Sequence, residues 1–377
     1  QPSLCVSELM DFLDDRCASG GFPLSKLITT HERLQGFSPE YFKPDSPLFS
    51  YSEENLAGAR AMSGGSGEAP TFSSGALEDV QQDSINRIHA GDLSDFFINP
   101  AKYFIKRRLR VDLEIYAGEA EESELFLLDP LDRFKVADEL IALSERGFSQ
   151  GAEELLAGEG LLPVGEMGRV AYEVVREEVR ALISRSIPFY ECDDLGPLSY
   201  EFSSGGVTLT GALTRVTARG LYTLRPGSIR GKDMVRWWIN HLILNVVAPE
   251  KISLETTLLG RKETLAFNSL EPDEARGHLE ELISIFKRGM GEALPIFPEA
   301  SLAYVERVGK GGETAAMNAA MGKWNDSKRG AGELYPGEGR DPYFARAFVH
   351  GPEAAPEFAP LSLACFGKLI ERREKRS

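Results

Sequence analysis

Two runs with a period of two, Val207 to Thr214 and Leu221 to Ser228, joined through Thr217-Ala218-Arg219-Gly220, constrain this chain more than any other feature. Alternation along an extended backbone turns one face into a core and the other outward, so the pair reads as a strand hairpin. Tyr200 to Phe202 adds a strand-like run before it. Ile252–Leu259 and Lys262–Phe267 make a second hairpin around Gly260-Arg261. Such a sheet needs cover. Lys232 to Val247 is helical and apolar on most of its circumference, through Met234, Val235, Trp237, Trp238, Leu242 and Val246. That breadth means burial on more than one side. Leu279, Leu282, Ile283, Phe286 and Met290 recur at helical spacing, and further helical patterns occupy 132–147, 150–157 and 166–186. Helices, strands, helix, strands and helices in that order predict an α+β domain, a small mixed sheet wrapped by helices.

A chain of 377 residues can bury a full core, and its length favours about two domains. Formal net charge is -16, from 42 Lys+Arg against 58 Asp+Glu. Domains that hold nucleic acid by themselves are usually basic. Any DNA contact must therefore be local, or shared with a partner that supplies positive charge. Cys5, Cys17, Cys192 and Cys365 stand far apart with no CxxC pair. This argues against a zinc ribbon or iron–sulfur clamp and suits a reducing, cytoplasmic setting. No apolar run approaches the roughly 18 residues that span a membrane. Gln1-Pro2-Ser3-Leu4-Cys5 has no basic region of a secretory signal and reads as the start of a fragment cut from a longer protein.

Val6 to Leu13 has helical spacing, with Ser7 as its expected N-cap. Periodicity is lost from Thr30 to about Pro70, where Pro39, Pro44, Pro47 and the run Ser63-Gly-Gly-Ser-Gly67 mark a connection. Phe37, Tyr41, Phe42, Phe49 and Tyr51 make it an aromatic, extended arm, expected to dock on the domain that follows. The Gly/Ser run is no phosphate loop, because no Lys-Ser/Thr follows it. Gly231-Lys232 fails the same test at Asp233, so no ATP site and no other cofactor is expected. From Asp92 the pattern tightens: Leu93, Phe96 and Phe97 share a face, and Asn99-Pro100 restarts a helix with Asn99 as N-cap. Lys102, Lys106, Arg107, Arg108 and Arg110 cluster at its far end.

Exonuclease domains of the PD-(D/E)XK type carry an Asp after a Gly-x-hydrophobic on one strand, then a second acid and a Lys at the end of the next. The acids converge because a divalent metal needs hard oxygen ligands to activate water. Gly211-Ala212-Leu213 has this frame, yet the corresponding positions are Thr214, Arg225 and Gly227. A guanidinium repels the metal, so the hairpin looks like scaffold, with no catalytic residue and no metal.

Further segments complete a resemblance. They are Asp92-Leu93, Phe96-Phe97-Ile98-Asn99-Pro100, Tyr103-Phe104, Arg108-Leu109-Arg110, Leu131-Asp132-Arg133-Phe134, Gly211-Ala212-Leu213 and Leu224-Arg225-Pro226. Trp238 to Leu242, Leu294 to Pro298, Gly337-Glu338-Gly339 and Asp341-Pro342-Tyr343-Phe344 follow. In that order, from about residue 92 to 348, they resemble the C-terminal part of the RecC family, the gamma subunits of bacterial exodeoxyribonuclease V. The resemblance implies a nuclease fold without catalytic residues, acting in double-strand-break repair and recombination. The implied partners are RecB-like and RecD-like helicase subunits, with duplex ends and single strands of DNA guided inside the complex. It divides the chain into the end of a helicase-like region (1–29), the arm and linker (30–90) and the nuclease-like domain (91–377). Two departures from active relatives agree: no His lies between His89 and His241, and Asn99 stands where some carry a cluster-binding Cys.

Other readings stay open at this point. An active metal-dependent exonuclease would need acids from elsewhere in the chain, and a protein-interaction module would need no DNA at all. The Lys102–Arg110 cations can meet phosphates or merely complement a helix dipole. Arg225 suits an ion pair beside a core helix better than DNA. Trp237 and Trp238 read as core and interface before base-stacking. Asp193-Asp194 reads as a solvated turn, Trp324 to Gly332 as a loop around Asp326-Ser327-Lys328, His241 as a satisfied core histidine, and Glu371 to Arg376 as a solvated helix end.

Overall fold

The computed structural model describes residues 3–17, 22–63, 72, 76–77, 85–113, 125–148, 150–192, 195–249, 251–329 and 333–376. They divide into two compact units, Gln1–Thr71 and Phe72–Ser377. The first unit holds α1 (Leu4–Arg16), α2 (Leu24–Ile28) and α3 (Glu53–Ser63). Helix α1 begins before Ser7, whose amide donates to Ser3 O at 2.9 Å, so Ser7 lies inside the helix instead of capping it. Asp14 joins α1 to α2 by accepting from Ser25 N and Oγ, and these bonds hold its carboxyl below the usual range. The arm is not extended throughout. Pro39–Phe42 forms a 3-10 turn, and Ser52 Oγ caps α3 by accepting from Asn55 N at 3.2 Å. Gly58 of α3 leaves room for Phe37, whereas Phe49 and Tyr51 pack edge to face at 5.5 Å and stay exposed. Gly64 to Gly67 lie outside the described residues.

In the second unit β1 (Arg87–His89) leads into α4 (Ala90–Ile98) and α5 (Pro100–Lys102), which passes into a π-helical turn at Tyr103–Arg108. Arg87 to His89, inside the expected linker, is thus already a strand. Asn99 caps α5 as its sequence requires, accepting from Lys102 N at 2.8 Å. Helices α6 (Pro130–Glu145), α7 (Ala152–Gly158) and α8 (Glu166–Tyr190) precede β2 (Leu198–Ser204), β3 (Val207–Leu213), β4 (Val216–Thr217) and β5 (Gly220–Arg225). Then come α9 (Gly231–Val247), β6 (Thr256–Gly260), β7 (Thr264–Phe267), α10 (Pro272–Gly289) and α11 (Pro298–Trp324), the last kinked at Gly312. The chain closes with β8 (Ser327–Arg329), β9 (Glu333–Tyr335), α12 (Pro342–Ala347), α13 (Phe358–Arg372) and β10 (Arg373–Arg376). The fold is α+β.

The alternation around Val207 builds two sheets, not one hairpin. One has the order β1-β3-β2 and the other β10-β7-β6-β5-β4. Strand β3 pairs antiparallel with β2 and parallel with β1, and only β4 forms the expected turn with β5 (Val216↔Leu221, Thr217↔Gly220). Arg215, at φ 57°, redirects the chain between the sheets. Alternation reports that a segment is a strand, but the partner is a tertiary choice. Gly211 stands opposite Tyr200, whose hydroxyl lies 2.4 Å from where a Cβ would be. The phenol covers the bare backbone, and its burial lifts its pKa to about 12.

Strands β5 and β6 run parallel across the α9 crossover, as parallel pairing demands a long connection. Both are buried on two faces. Leu221 and Leu258 join a core with Trp238, Ile239, Phe286 and Phe366, while Tyr222, Leu224 and Leu259 face Val136, Ile141, Val175 and Leu182 of α6 and α8. Each fully buried side chain of this size contributes roughly 1.5–3 kcal/mol. At Gly289 a Cβ would sit 2.2 Å from Phe96, so α10 and α4 approach through a missing side chain.

Two further segments differ from expectation. The stretch after Trp324 contains strands β8 and β9, with Asp326 accepting from Gly337 N at 3.0 Å and Arg340 Nε at 2.8 Å. Residues 373–376 are an edge strand on β7, not a helix end, because Arg372, Arg373 and Arg376 find Glu274, Glu306 and Glu255. Among the described residues no helix is long and apolar enough to cross a membrane.

Candidate functional site

Two places in the second unit gather the residues that the sequence singles out. The first is the end of β5. Arg225 Nε donates to Ser228 O at 3.0 Å and lies 2.8 Å from Asp233 Oδ2 in the first turn of α9. Its guanidinium rests over Phe134 of α6, 4.9 Å from the ring centroid. The side chains of Arg225 and Asp233 are only 20% and 14% exposed. The expected ion pair is therefore formed, with an aromatic floor. Burial is the main influence on Arg225 and lowers its pKa from the ordinary guanidinium value, while Asp233 opposes that shift.

Gly227 lies against the same Phe134 ring, so Arg225 and Gly227 are neighbours. Thr214 is exposed between β3 and β4 and has no ladder partner on β5. Asp138 and Glu145 of α6 are also in this region. Glu145 binds Arg215 at 2.9 Å, and burial raises the Asp138 carboxyl against the pull of Arg215 and Arg225. The carboxylates here are interleaved with guanidinium groups. Among the described residues, no three His, Cys, Asp or Glu side chains are grouped so as to hold a metal ion.

The second place is a groove of about 540 Å³ beside α4, α5 and the π-helical turn. Lys102, Lys106, Arg107 and Arg110 line it, and Arg236 of α9 joins them with Asp95, Asn99 and Tyr103. Arg108 is not among the lining residues. Leu109 N donates to Phe104 O at 3.0 Å, the wider spacing of a π turn, and Arg110 then adopts φ 60°. Widened turns and left-handed non-glycine residues recur at functional sites. Tyr103 packs edge-on against Phe96 and Phe286, which fixes the groove floor, and burial raises its hydroxyl to about 12. It therefore remains a hydrogen-bond donor at neutral pH.

A profile of the RecC C-terminal domain matches residues 86–309, from β1 into α11. The chain belongs to the RecC C-terminal domain family. It is 24% identical over 318 residues to the RecBCD enzyme subunit RecC of Escherichia coli strain K12, covering 81% of this chain and 27% of that protein. The subunit RecC of Mycolicibacterium smegmatis is 26% identical over 323 residues, covering 81% and 28%. That of Haemophilus influenzae is 28% identical over 184 residues, covering 48% and 15%. The chain thus spans just over a quarter of the length of the first two relatives.

The RecC-type span contains the β5 end and all the lining residues of the groove, while the motif Asp341-Pro342-Tyr343-Phe344 reaches Lys102 from beyond it. Asp341 caps α12 by accepting from Tyr343 N and Phe344 N. Tyr343 then lies under Lys102, 5.4 Å from the ammonium, and donates its hydroxyl to Asp112 Oδ1 at 2.8 Å. The nearness of Arg236 and Tyr343 to the basic cluster was not legible, since both lie far from it in sequence. Arg236 is the single arginine of a largely apolar helix, and that was the available signal for it.

The remaining candidates are structural. Trp238 is 2% exposed and stacks on His241. His241 Nε2 faces Asn268 O at 3.2 Å and must donate to it, so Nδ1 accepts from Thr256 Oγ1 at 2.9 Å. Burial drives this ring down to about 3 and keeps it neutral. Trp237 is half-buried against the core. Asp193 and Asp194 lie outside the described residues.

Proposed function

We propose that this chain is a noncatalytic, nuclease-like scaffold of a RecC-type subunit, which binds helicase subunits of exodeoxyribonuclease V and guides DNA in double-strand-break repair. Its setting would be the bacterial cytoplasm. The reading rests above all on Arg225. Where a PD-(D/E)XK enzyme gathers acids around a metal, this chain has a guanidinium joined to Asp233 and seated on Phe134. Metal entry there would require separating a largely buried ion pair and placing a cation beside a cation, which is electrostatically costly. The chain incubated with linear duplex and single strands in Mg²⁺ or Mn²⁺ should leave both intact. Degradation that disappears on Asp138→Asn or Asp233→Asn would overturn the scaffold reading.

Partner binding is supported by α8. Met167, Val170 and Val174 recur at i, i+3 and i+7 and are 47%, 59% and 48% exposed. Apolar residues aligned along one exposed face mark contact surfaces more often than solvent faces. The surrounding charges pair among themselves (Arg169 with Glu166, Arg176 with Glu173), so they leave the stripe accessible. The double substitution Val170→Glu and Val174→Glu should lower affinity for a helicase subunit about tenfold or more while changing stability by roughly 0.5 kcal/mol or less. Size-exclusion co-elution checks this. Normal assembly by the variant would remove α8 from the interface.

The groove gives the DNA side of the proposal. Five cations in one concavity concentrate positive potential locally, even on an acidic protein. Five of the nine lining side chains are guanidinium or ammonium groups, which suits phosphates and sugar over bases.

A further inference from the structure

The groove is not a bare cluster of cations. Lys106 Nζ lies 2.7 Å from Asp112, Arg107 lies 3.8 Å from Asp92, and Arg236 lies 3.5 Å from Asp95. Asp92 and Asp95 stand one turn apart on α4, and Asp112 comes from the segment after the π-helical turn. Asp112 is the most firmly set, because the buried Tyr343 donates to its other oxygen. All six charged side chains are between 42% and 61% exposed, and ion pairs so exposed add little to stability. Holding the fold together is therefore not what these pairs do best. Their larger effect falls on the charge that an incoming anion meets.

We infer that Asp92, Asp95 and Asp112 are built-in counter-ions that limit the grip of the groove on a sugar–phosphate backbone, keeping the contact weak and exchangeable. This deepens the reading of the groove as a DNA contact and rests on it. An arriving phosphate must share or displace a tethered carboxylate at Lys106, Arg107 and Arg236. Lys102 lies over the Tyr343 ring, whose electron-rich face attracts the ammonium. Fixed carboxylates differ from salt ions in one measurable respect. They are not released into solution on binding, so they suppress both affinity and its salt dependence.

The test uses the protein assembled with its helicase subunits and compares wild type with Asp92→Asn, Asp95→Asn and Asp112→Asn combined. Asparagine keeps an acceptor for the Tyr343 hydroxyl, so the local geometry is retained. Binding of a mixed-sequence duplex end and of a single strand is measured across a salt series. The combined variant should bind at least fivefold more tightly at low salt. Its log–log salt slope should steepen by about one to three, because each freed cation adds about 0.9 on duplex and about 0.7 on single strands. Unchanged affinity and slope in this variant, with binding still weakened by Lys106→Glu and Arg107→Glu, would overturn the counter-ion role alone. If the Glu variant also binds as wild type does, the groove is not a DNA contact and both readings fall.

Discussion

Exchanging Lys106 and Arg107 for Glu is expected to weaken binding of duplex ends by the assembled complex roughly ten- to a hundredfold at about 0.1 M salt. The two side chains line one groove with Lys102, Arg110 and Arg236, so the reversal changes its charge by four units at the point where potential is focused. It also sets new carboxylates beside Asp112 and Asp92, which now pair with these residues. Because all of these groups are substantially exposed, the cost to folding should stay near 1 kcal/mol. Assembly with the helicase subunits should persist. Arg108→Glu serves as a comparison, since that residue belongs to the same sequence cluster but does not line the groove. Its effect on binding should be several-fold smaller. Equal effects at the three positions would mean that total charge, not the groove, governs binding.

Arg225→Met is expected to destabilise the second unit by roughly 2–4 kcal/mol, read from urea unfolding. Methionine preserves much of the packing on Phe134 but leaves the Asp233 carboxylate, 14% exposed, without its cation. It also leaves Ser228 O without the Nε donor. Adding Asp233→Asn should recover part of the loss, because the orphaned charge is removed while the acceptor for Arg230 N is retained. A coupling of about 1–3 kcal/mol between the two positions would identify the pair as the stabilising contact. An Arg225→Met variant as stable as wild type, and newly responsive to Mg²⁺, would show instead that the guanidinium merely blocks a usable metal site.

Much of this molecule follows from local sequence. The apolar circumference of 232–247 required a helix buried on several sides, and α9 lies between the sheet and α10. Asn99-Pro100 required a helix start, because a side-chain acceptor followed by a residue without an amide hydrogen suits no other position so well. Periodicity also placed both strands around Gly260-Arg261. It failed where pairing depends on distant segments. Nothing in Val207 to Thr214 says that its neighbours are Leu198–Ser204 and Arg87–His89, since alternation is the same whichever strand lies alongside. The final strand was hidden for a related reason: Arg373–Arg376 is charged throughout, and only three glutamates on other elements make that edge favourable.

The candidate sites divide along the same line. The residue types alone carried the expectation that this hairpin holds no metal, because Thr214, Arg225 and Gly227 offer no carboxylate in any fold. Which partner neutralises Arg225 was a matter of geometry, decided when the β5–α9 turn brought Asp233 to 2.8 Å. The basic cluster was visible as a run, yet its function as a surface depends on groups that no run contains. Arg236 lies more than a hundred residues away and Tyr343 more than two hundred. Sequence fixes which side chains are charged, for that is a covalent property. Their potential at a point depends on inverse distance, and the packing of α4, α9 and α12 alone sets those distances.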